Sequence, residues 1–443
     1  MIHEAAPPTR LHWSLNARLS AMMFLQFAVW GAWTPVLGGL YLNQPQGMGF
    51  SGTQTAQVYA TWAAATIIAP LIAGQLVDRW FATQRFLAVV NLLGAGLMFL
   101  MAHVAPGHFW EFFGWMALYQ LLCAPTMSLT VSLAFHHLPD GQRQFGVIRL
   151  WGTVGFIVVS LVFGEWLKDW ATLRQLLGQS VDMSALMTNP MKVGQCLNWA
   201  GVLSLVFGMY CLTLPHTPPA TAAKNPYAFL AALELLREKS FAVLLIVSVI
   251  VATELQFYFI FASKFFASLG FAEGTAAQLM TIGQIVEVFT LLALPWFVAR
   301  YGIKTTIAVG ILAWTIRYGI FAWGEPRWLV VASQGLHGLA YGFFMVGGMM
   351  YTDRVASKDI RASAQGLLLL ATLGVGKLIS SQIAGPVKDY FTIETSTTAV
   401  TNWHMVFLVP VMVTLVGAVG FLLFFHEKKE IKELDAAVGP PRA

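Results

Sequence analysis

Gln284 and Glu287 lie one helical turn apart near the middle of an apolar run from Ala276 to Val298. At i and i+3 they share one face of a helix. An amide there can match donor and acceptor edges of a polar solute. A carboxylate there can accept two hydroxyl hydrogen bonds, or take up a proton when its partner leaves. Holding a carboxylate at mid-membrane depth costs about 2.5–3.5 kcal/mol even on a lenient insertion scale, so such a group is paired, wetted or functional. A structural ion pair with Arg149, Arg317 or Lys377 is the alternative reading of Glu287, since these bases, like Glu254, also fall in apolar runs. The simplest chain that needs so many polar groups inside apolar segments is one that carries a polar solute across a bilayer.

Other polar sets have helical spacing. Arg149, Thr153 and Phe156 fall at i, i+4 and i+7, one face that offers a guanidinium, a hydroxyl and an aromatic plate. Snorkelling of Arg149 and plain packing of Phe156 are the competing readings. Gln26 and Trp30 are four apart, as are His337 and Tyr341. Glu254 and Gln256 are two apart and so point to nearly opposite faces. Glu254 is expected to be a structural partner of Arg317 or Lys377, and is kept as a second proton-coupling candidate beside Glu287. No nucleophile–base pair or metal-ligand set lies at one depth, and G-x-x-x-x-G-K-[ST] spacing is absent, so no catalytic residue, metal or cofactor is expected and direct ATP drive is unsupported. Cys123, Cys196 and Cys211 are small packing residues of apolar runs.

The elements that must position these groups follow from composition. The chain has 443 residues, 57% hydrophobic and 11% charged, with a mean hydropathy of +0.66. A soluble domain is nearer a quarter charged, so the fold class is an all-α polytopic membrane protein. Runs long enough to cross a bilayer fall near 19–42, 54–77, 86–105, 110–136, 146–167, 195–214, 241–268, 275–299, 305–323, 328–350, 361–385 and 402–425. The first is too long and lacks the cleavage site of a signal peptide. These are twelve transmembrane helices in two six-helix bundles. The expected divisions are an N-terminal bundle at 1–214, a cytoplasmic linker at 215–240, a C-terminal bundle at 241–425 and a cytoplasmic tail at 426–443. Bases such as Arg10, Arg18, Arg79, Arg85, Arg143, Lys224, Arg300 and Lys304 crowd one set of loops; the other receives only Lys168, Arg174, Lys192, Lys264, Arg327 and Lys388. That asymmetry places both termini in the cytoplasm, and the net charge of +5 orients helices rather than marking affinity for nucleic acid.

Gly74-Gln-Leu-Val-Asp78-Arg79, after the second run, resembles the G-x-x-x-D-R motif of the major facilitator superfamily, with a weaker echo at Ala299-Arg300-Tyr301-Gly302-Ile303-Lys304. It implies a cytoplasmic latch, Asp78 capping a helix N-terminus and Arg79 tethering a carboxylate; an ordinary charged turn is the alternative. More specific stretches are Phe24-Leu-Gln-Phe-Ala-Val-Trp30-Gly-Ala-Trp33, Ile148-Arg-Leu-Trp-Gly-Thr-Val-Gly-Phe156, Thr253-Glu-Leu-Gln256, Gln284-Ile-Val-Glu287, Ala313-Trp-Thr-Ile-Arg317 and Ile360-Arg-Ala-Ser-Ala-Gln-Gly366. Together, and in order, they resemble the nucleoside:proton symporters of the major facilitator superfamily, the bacterial nucleoside permeases.

The resemblance implies the major facilitator fold and import of nucleosides with protons by alternating access across the cytoplasmic (inner) membrane. It implies that Arg149, Thr153, Phe156, Gln256, Gln284 and Glu287 contact substrate, with Gln26, Trp30 and Tyr341 as further contacts and a monomer as the working unit in the lipid bilayer. A flat base on a hydroxylated sugar would use a guanidinium, a hydroxyl and a ring together. The chain departs from the family's pattern at Phe259, where relatives carry Asn, and at Gly342, where they carry an acid, while Lys377 adds a base that could offset Glu287. An uncoupled carrier and a transporter-like sensor are the alternatives. A sensor usually adds a soluble domain or long loop, for which the central linker is short.

Overall fold

Apolar runs of some twenty residues satisfy their backbone inside a membrane only as helices or closed barrels, and here they are helices. The computed structural model describes residues 13–45, 47–79, 81–138, 141–167, 193–218, 233–271, 275–357, 360–394 and 399–427. The first span is Trp13–Trp33, extended by a π-helical turn at Gly38–Leu42. Then come Gly52–Arg79, Thr83–Ala102, Phe109–Cys123 with Thr126–His137, Gly141–Leu167 and Cys196–Cys211. Pro125 divides the fourth span, as a residue without an N–H must.

The second half begins with Lys239–Ala252 and Leu255–Ser268, the two parts of the seventh span. Ala276–Trp323 holds the eighth and ninth, which turn at Gly302 with φ +80°, a conformation that suits glycine. The tenth runs from Arg327 to Val355 and the eleventh from Arg361 to Tyr390, each interrupted by a π-helical segment, Tyr341–Val346 and Leu370–Gly376. A two-stranded antiparallel ribbon, β1 (Thr392–Glu394) and β2 (Ala399–Thr401), leads into the twelfth, Trp403–Phe424. Expected and observed spans agree in number and order, shifted by a few residues at their ends.

Apolar side chains such as Phe289, Leu292, Ile246 and Val416 point outward from the helices, the surface a lipid phase requires. Trp110, Trp323, Trp328 and Tyr390 stand exposed at span ends, where amphipathic rings anchor a helix to the headgroups. Between helices, close approach depends on missing Cβ atoms. The first and fifth spans touch where a Cβ on Gly31 would meet the Phe156 carbonyl at 2.6 Å, and one on Gly155 would meet the backbone of Phe24. The eighth and tenth touch at Gly283 and Gly338, where a Cβ on Gly338 would strike the Gly283 carbonyl and the Glu287 amide. Small residues at crossings are how membrane helices gain packing without a hydrophobic drive. Both crossings carry the polar residues singled out above.

One end of the molecule is bonded shut between the halves. The Asp389 carboxylate accepts from the N–H groups of Gly52 and Thr53 at 2.7 and 2.8 Å and from the Thr53 hydroxyl at 2.8 Å. It thereby caps the second span's N-terminus from the end of the eleventh. Nearby, the Lys264 ammonium donates to the Asn43 carbonyl and side chain at 3.1 and 2.8 Å.

Candidate functional site

A cavity of about 260 Å³ lies between the halves, lined by spans one, two, four and five on one side and seven, eight, ten and eleven on the other. Arg149, Thr153, Phe156, Gln284, Glu287, Tyr341, Trp30, His337 and Lys377 all line it. The tertiary structure therefore brings together most of the sequence candidates from five different helices.

The fifth-span face is set by the Gly31 and Gly155 contacts, which press that helix onto the first. Arg149 stacks over Phe27, its guanidinium carbon 4.1 Å from the ring centroid. Glu287 and Tyr341 are its electrostatic neighbours across the cavity. Among the described residues Glu287 makes no ion pair within 4.0 Å, with Arg149, Arg317 or Lys377. Its carboxylate is thus open to whatever fills the cavity. Gln284, one turn earlier, leaves its side-chain carbonyl without a partner.

Lys377 follows the eleventh span's π-helical segment. Its ammonium lies 3.9 Å from the Trp62 ring centroid and 4.8 Å from that of Phe259. Its neighbours are aromatic faces rather than Glu287. A side chain at Gly342 would point at Thr290 of the eighth span, with a Cβ 2.7 Å from its methyl group. Tyr341 is the residue on that turn that faces the cavity.

Three candidates stand elsewhere. Gln256 is fully buried, bonded from its backbone N–H to Ser380 and from its side-chain amide to Ser381 at 2.8 Å. Ser381 in turn donates to the Lys377 carbonyl at 3.1 Å, so the amide braces the helix that carries the base. Gln26 is buried and donates to Thr126 at 3.0 Å. Glu254 is fully buried beside Arg317, 3.5 Å from its guanidinium and hydrogen-bonded by the Tyr318 hydroxyl. Arg317 also donates to His337 Nδ1 at 2.9 Å and lies over Tyr258. None of Gln256, Gln26 and Glu254 lines the cavity. Gly74, Asp78 and Arg79 end the second span, but their side chains lie outside the described residues.

Sequence reasoning missed Trp62, Tyr59, Gln120 and Tyr258, which also line the cavity. Gln120 was findable: it is an amide inside an apolar run, and its carbonyl oxygen has no partner here. The aromatic residues carried no signal, because Trp and Tyr are common at every depth-limited interface of such a chain.

The model of one family, described as nucleoside H+ symporter, matches residues 13–430. The chain belongs to the nucleoside H+ symporter family. Among relatives of this nucleoside H+ symporter family member, YegT of Escherichia coli (strain K12) is 34% identical over 93% of this chain and 94% of its own length. The xanthosine permease of the same organism is 30% identical over 95% of this chain and 98% of its own. The crystal structure of the nucleoside transporter NupG superposes with a TM-score of 0.78, at 28% identity, covering 94% of this chain and all of that one. The fold is the major facilitator fold of twelve membrane-spanning helices in two six-helix bundles. The protein is a multi-pass membrane transporter rather than an enzyme.

Proposed function

We propose that this protein imports nucleosides across the bacterial inner membrane as a secondary active, proton-coupled transporter. It works as a monomer in the bilayer by alternating access. The observation that carries the reading is the cavity between the halves, where one carboxylate, one guanidinium, an amide, a hydroxyl and aromatic rings converge from both bundles. A midplane site at the interface of two repeats is where such carriers bind substrate. Arg149, Thr153 and Gln284 bond the nucleoside, Phe156, Trp30 and Tyr341 pack against it, and Glu287 carries the coupling proton.

Glu287 suits that role because it faces the cavity without a fixed partner, so substrate and proton compete for one group. Glu254 is held by Arg317 and Tyr318 out of reach of the cavity. Gln256 and Gln26 act by positioning the helices around the site. The bundles are taken as 1–214 and 241–425, with the linker 215–240 and tail 426–443 in the cytoplasm beside both termini. The Asp389 and Lys264 bonds then close the extracellular face, and Gly74, Asp78 and Arg79 latch the cytoplasmic face in the opposite state.

Uptake of labelled uridine and adenosine into vesicles, with and without an imposed pH gradient, tests the reading. Accumulation above the outside concentration only with an inward proton gradient is expected. Equilibration that ignores the gradient would leave an uncoupled carrier, and binding without flux a solute sensor.

A further inference from the structure

The cavity is chemically lopsided. Around Glu287, acceptors and donors mix: the free carboxylate, the unpartnered Gln284 carbonyl, Arg149 and the Tyr341 hydroxyl. Around Phe259 the polar groups are donors. As an ammonium, Lys377 has three N–H donors and no acceptor capacity, and among the described residues no acceptor is hydrogen-bonded to it. Its contacts are the faces of Trp62 and Phe259. The buried indole N–H of Trp62 has no partner either.

His337 supplies the remaining donor, and its direction is dictated by Arg317. A guanidinium only donates hydrogen bonds. The contact of 2.9 Å between Arg317 Nη1 and His337 Nδ1 therefore makes Nδ1 the acceptor, and the neutral ring must carry its proton on Nε2. That nitrogen bonds to nothing among the described residues, and the side chain lines the cavity. The ring is locked by stacking on Tyr258, centroids 4.9 Å apart at 29°. It stands 6.4 Å from Phe259, edge to face. Phe259 is thus an aromatic plate with a fixed ammonium and a fixed imidazole N–H beside it, on three helices of one bundle.

We propose that this wall selects nucleosides whose base presents carbonyl oxygens, uracil- and xanthine-type bases, over those whose base presents an exocyclic amine. The base stacks on Phe259 and its carbonyls accept from Lys377 and His337, while the sugar hydroxyls meet Glu287, Gln284 and Arg149. An exocyclic amine turned toward Lys377 sets donor against donor and leaves a buried ammonium unpaired, the arrangement by which polar sites reject analogues most strongly. The inference rests on the nucleoside reading given above and adds the class of base.

The test is calorimetric binding of uridine, cytidine, xanthosine and adenosine to the full-length chain in detergent, as wild type and as Lys377→Met, Lys377→Arg and His337→Phe. Uridine and cytidine share the sugar and the O2 carbonyl; at position 4 a carbonyl becomes an amine, and the neighbouring N3 changes from donor to acceptor. Wild type is expected to bind uridine about tenfold or more tightly than cytidine, the size of a lost charge-assisted hydrogen bond, and xanthosine more tightly than adenosine. Lys377→Met and His337→Phe should each narrow the gap, and Lys377→Arg should keep its sign. Cytidine or adenosine binding as tightly as its carbonyl counterpart in the wild type would overturn the proposal, whatever the variants do. A gap that survives both donor removals would overturn the assignment to this wall. Binding of none of the four to folded wild-type protein would remove the nucleoside reading itself, and this inference with it.

Discussion

Glu254 and Glu287 are both carboxylates within apolar spans of the same bundle, yet the fold treats them oppositely. Glu254 is sealed: neither its side chain nor that of Arg317 has any exposed surface, the Tyr318 hydroxyl donates to the carboxylate and His337 accepts from the guanidinium. Glu287 faces a cavity and pairs with nothing within 4.0 Å among the described residues. A buried ion pair is expensive to make and more expensive to break by halves. An unpaired acid on a cavity wall is expensive only until solute or water reaches it. The contrast separates a group that holds the bundle together from one that is free to do work.

The largest effect should come from breaking the sealed pair. Glu254→Ala is expected to destabilise the folded protein by about 3–5 kcal/mol, because it strands the Arg317 guanidinium. Thermal unfolding in detergent and membrane abundance would both fall. Joining it to Arg317→Met should recover part of that loss, since no buried charge is then left unpaired. A double variant no better than the single one would show that the pair is not the unit of stability.

Glu287→Gln should do the reverse. It removes the titrating group but little packing, so unfolding temperature is expected to stay near wild type while gradient-driven accumulation disappears. Full uphill uptake by this variant would end the coupling role of Glu287. Collapse of expression without any transport-competent fraction would place it with Glu254 as a structural acid.

On the opposite wall, Arg149→Ala should weaken nucleoside binding by about 1.5–3 kcal/mol and Thr153→Ala by about 0.5–1.5, the usual ranges for charged and neutral hydrogen bonds. Calorimetry checks the order. Equal affinity in both variants and wild type would take this face out of the site. The smallest effect is expected at the closed end. Asp389→Asn keeps shape, loses charge at a helix N-terminus, worth about 0.3–1 kcal/mol, and leaves one acceptor oxygen where the carboxylate offered two at this partly exposed cap. Labelling of a cysteine placed at Ser263, a buried hydroxyl without a partner among the described residues where the seventh span meets Gly39, should rise modestly as the closed state loses population; unchanged labelling would show that the cap does not bias the two states.

The sequence by itself determined that this is a helical membrane protein, how many spans it has, and which polar residues are out of place in them. Those follow from local physics: a run of twenty apolar residues has to be a helix in lipid, and spacing along a helix fixes which side chains share its face. Spacing put Gln284 with Glu287, and Arg149 with Thr153 and Phe156, and each set does share a face of the cavity. What spacing cannot set is which faces meet. That was decided by the glycine crossings at Gly31 with Gly155 and at Gly283 with Gly338, which rotate whole helices against each other. Gln256 and Gln26 carried the same signal as Gln284 but turned inward, onto Ser381 and Thr126. Lys377 looked like a partner for Glu287 and lies instead between Trp62 and Phe259. An intramembrane polar residue announces that it must have a partner; only the packing of twelve helices decides whether that partner is protein or cargo.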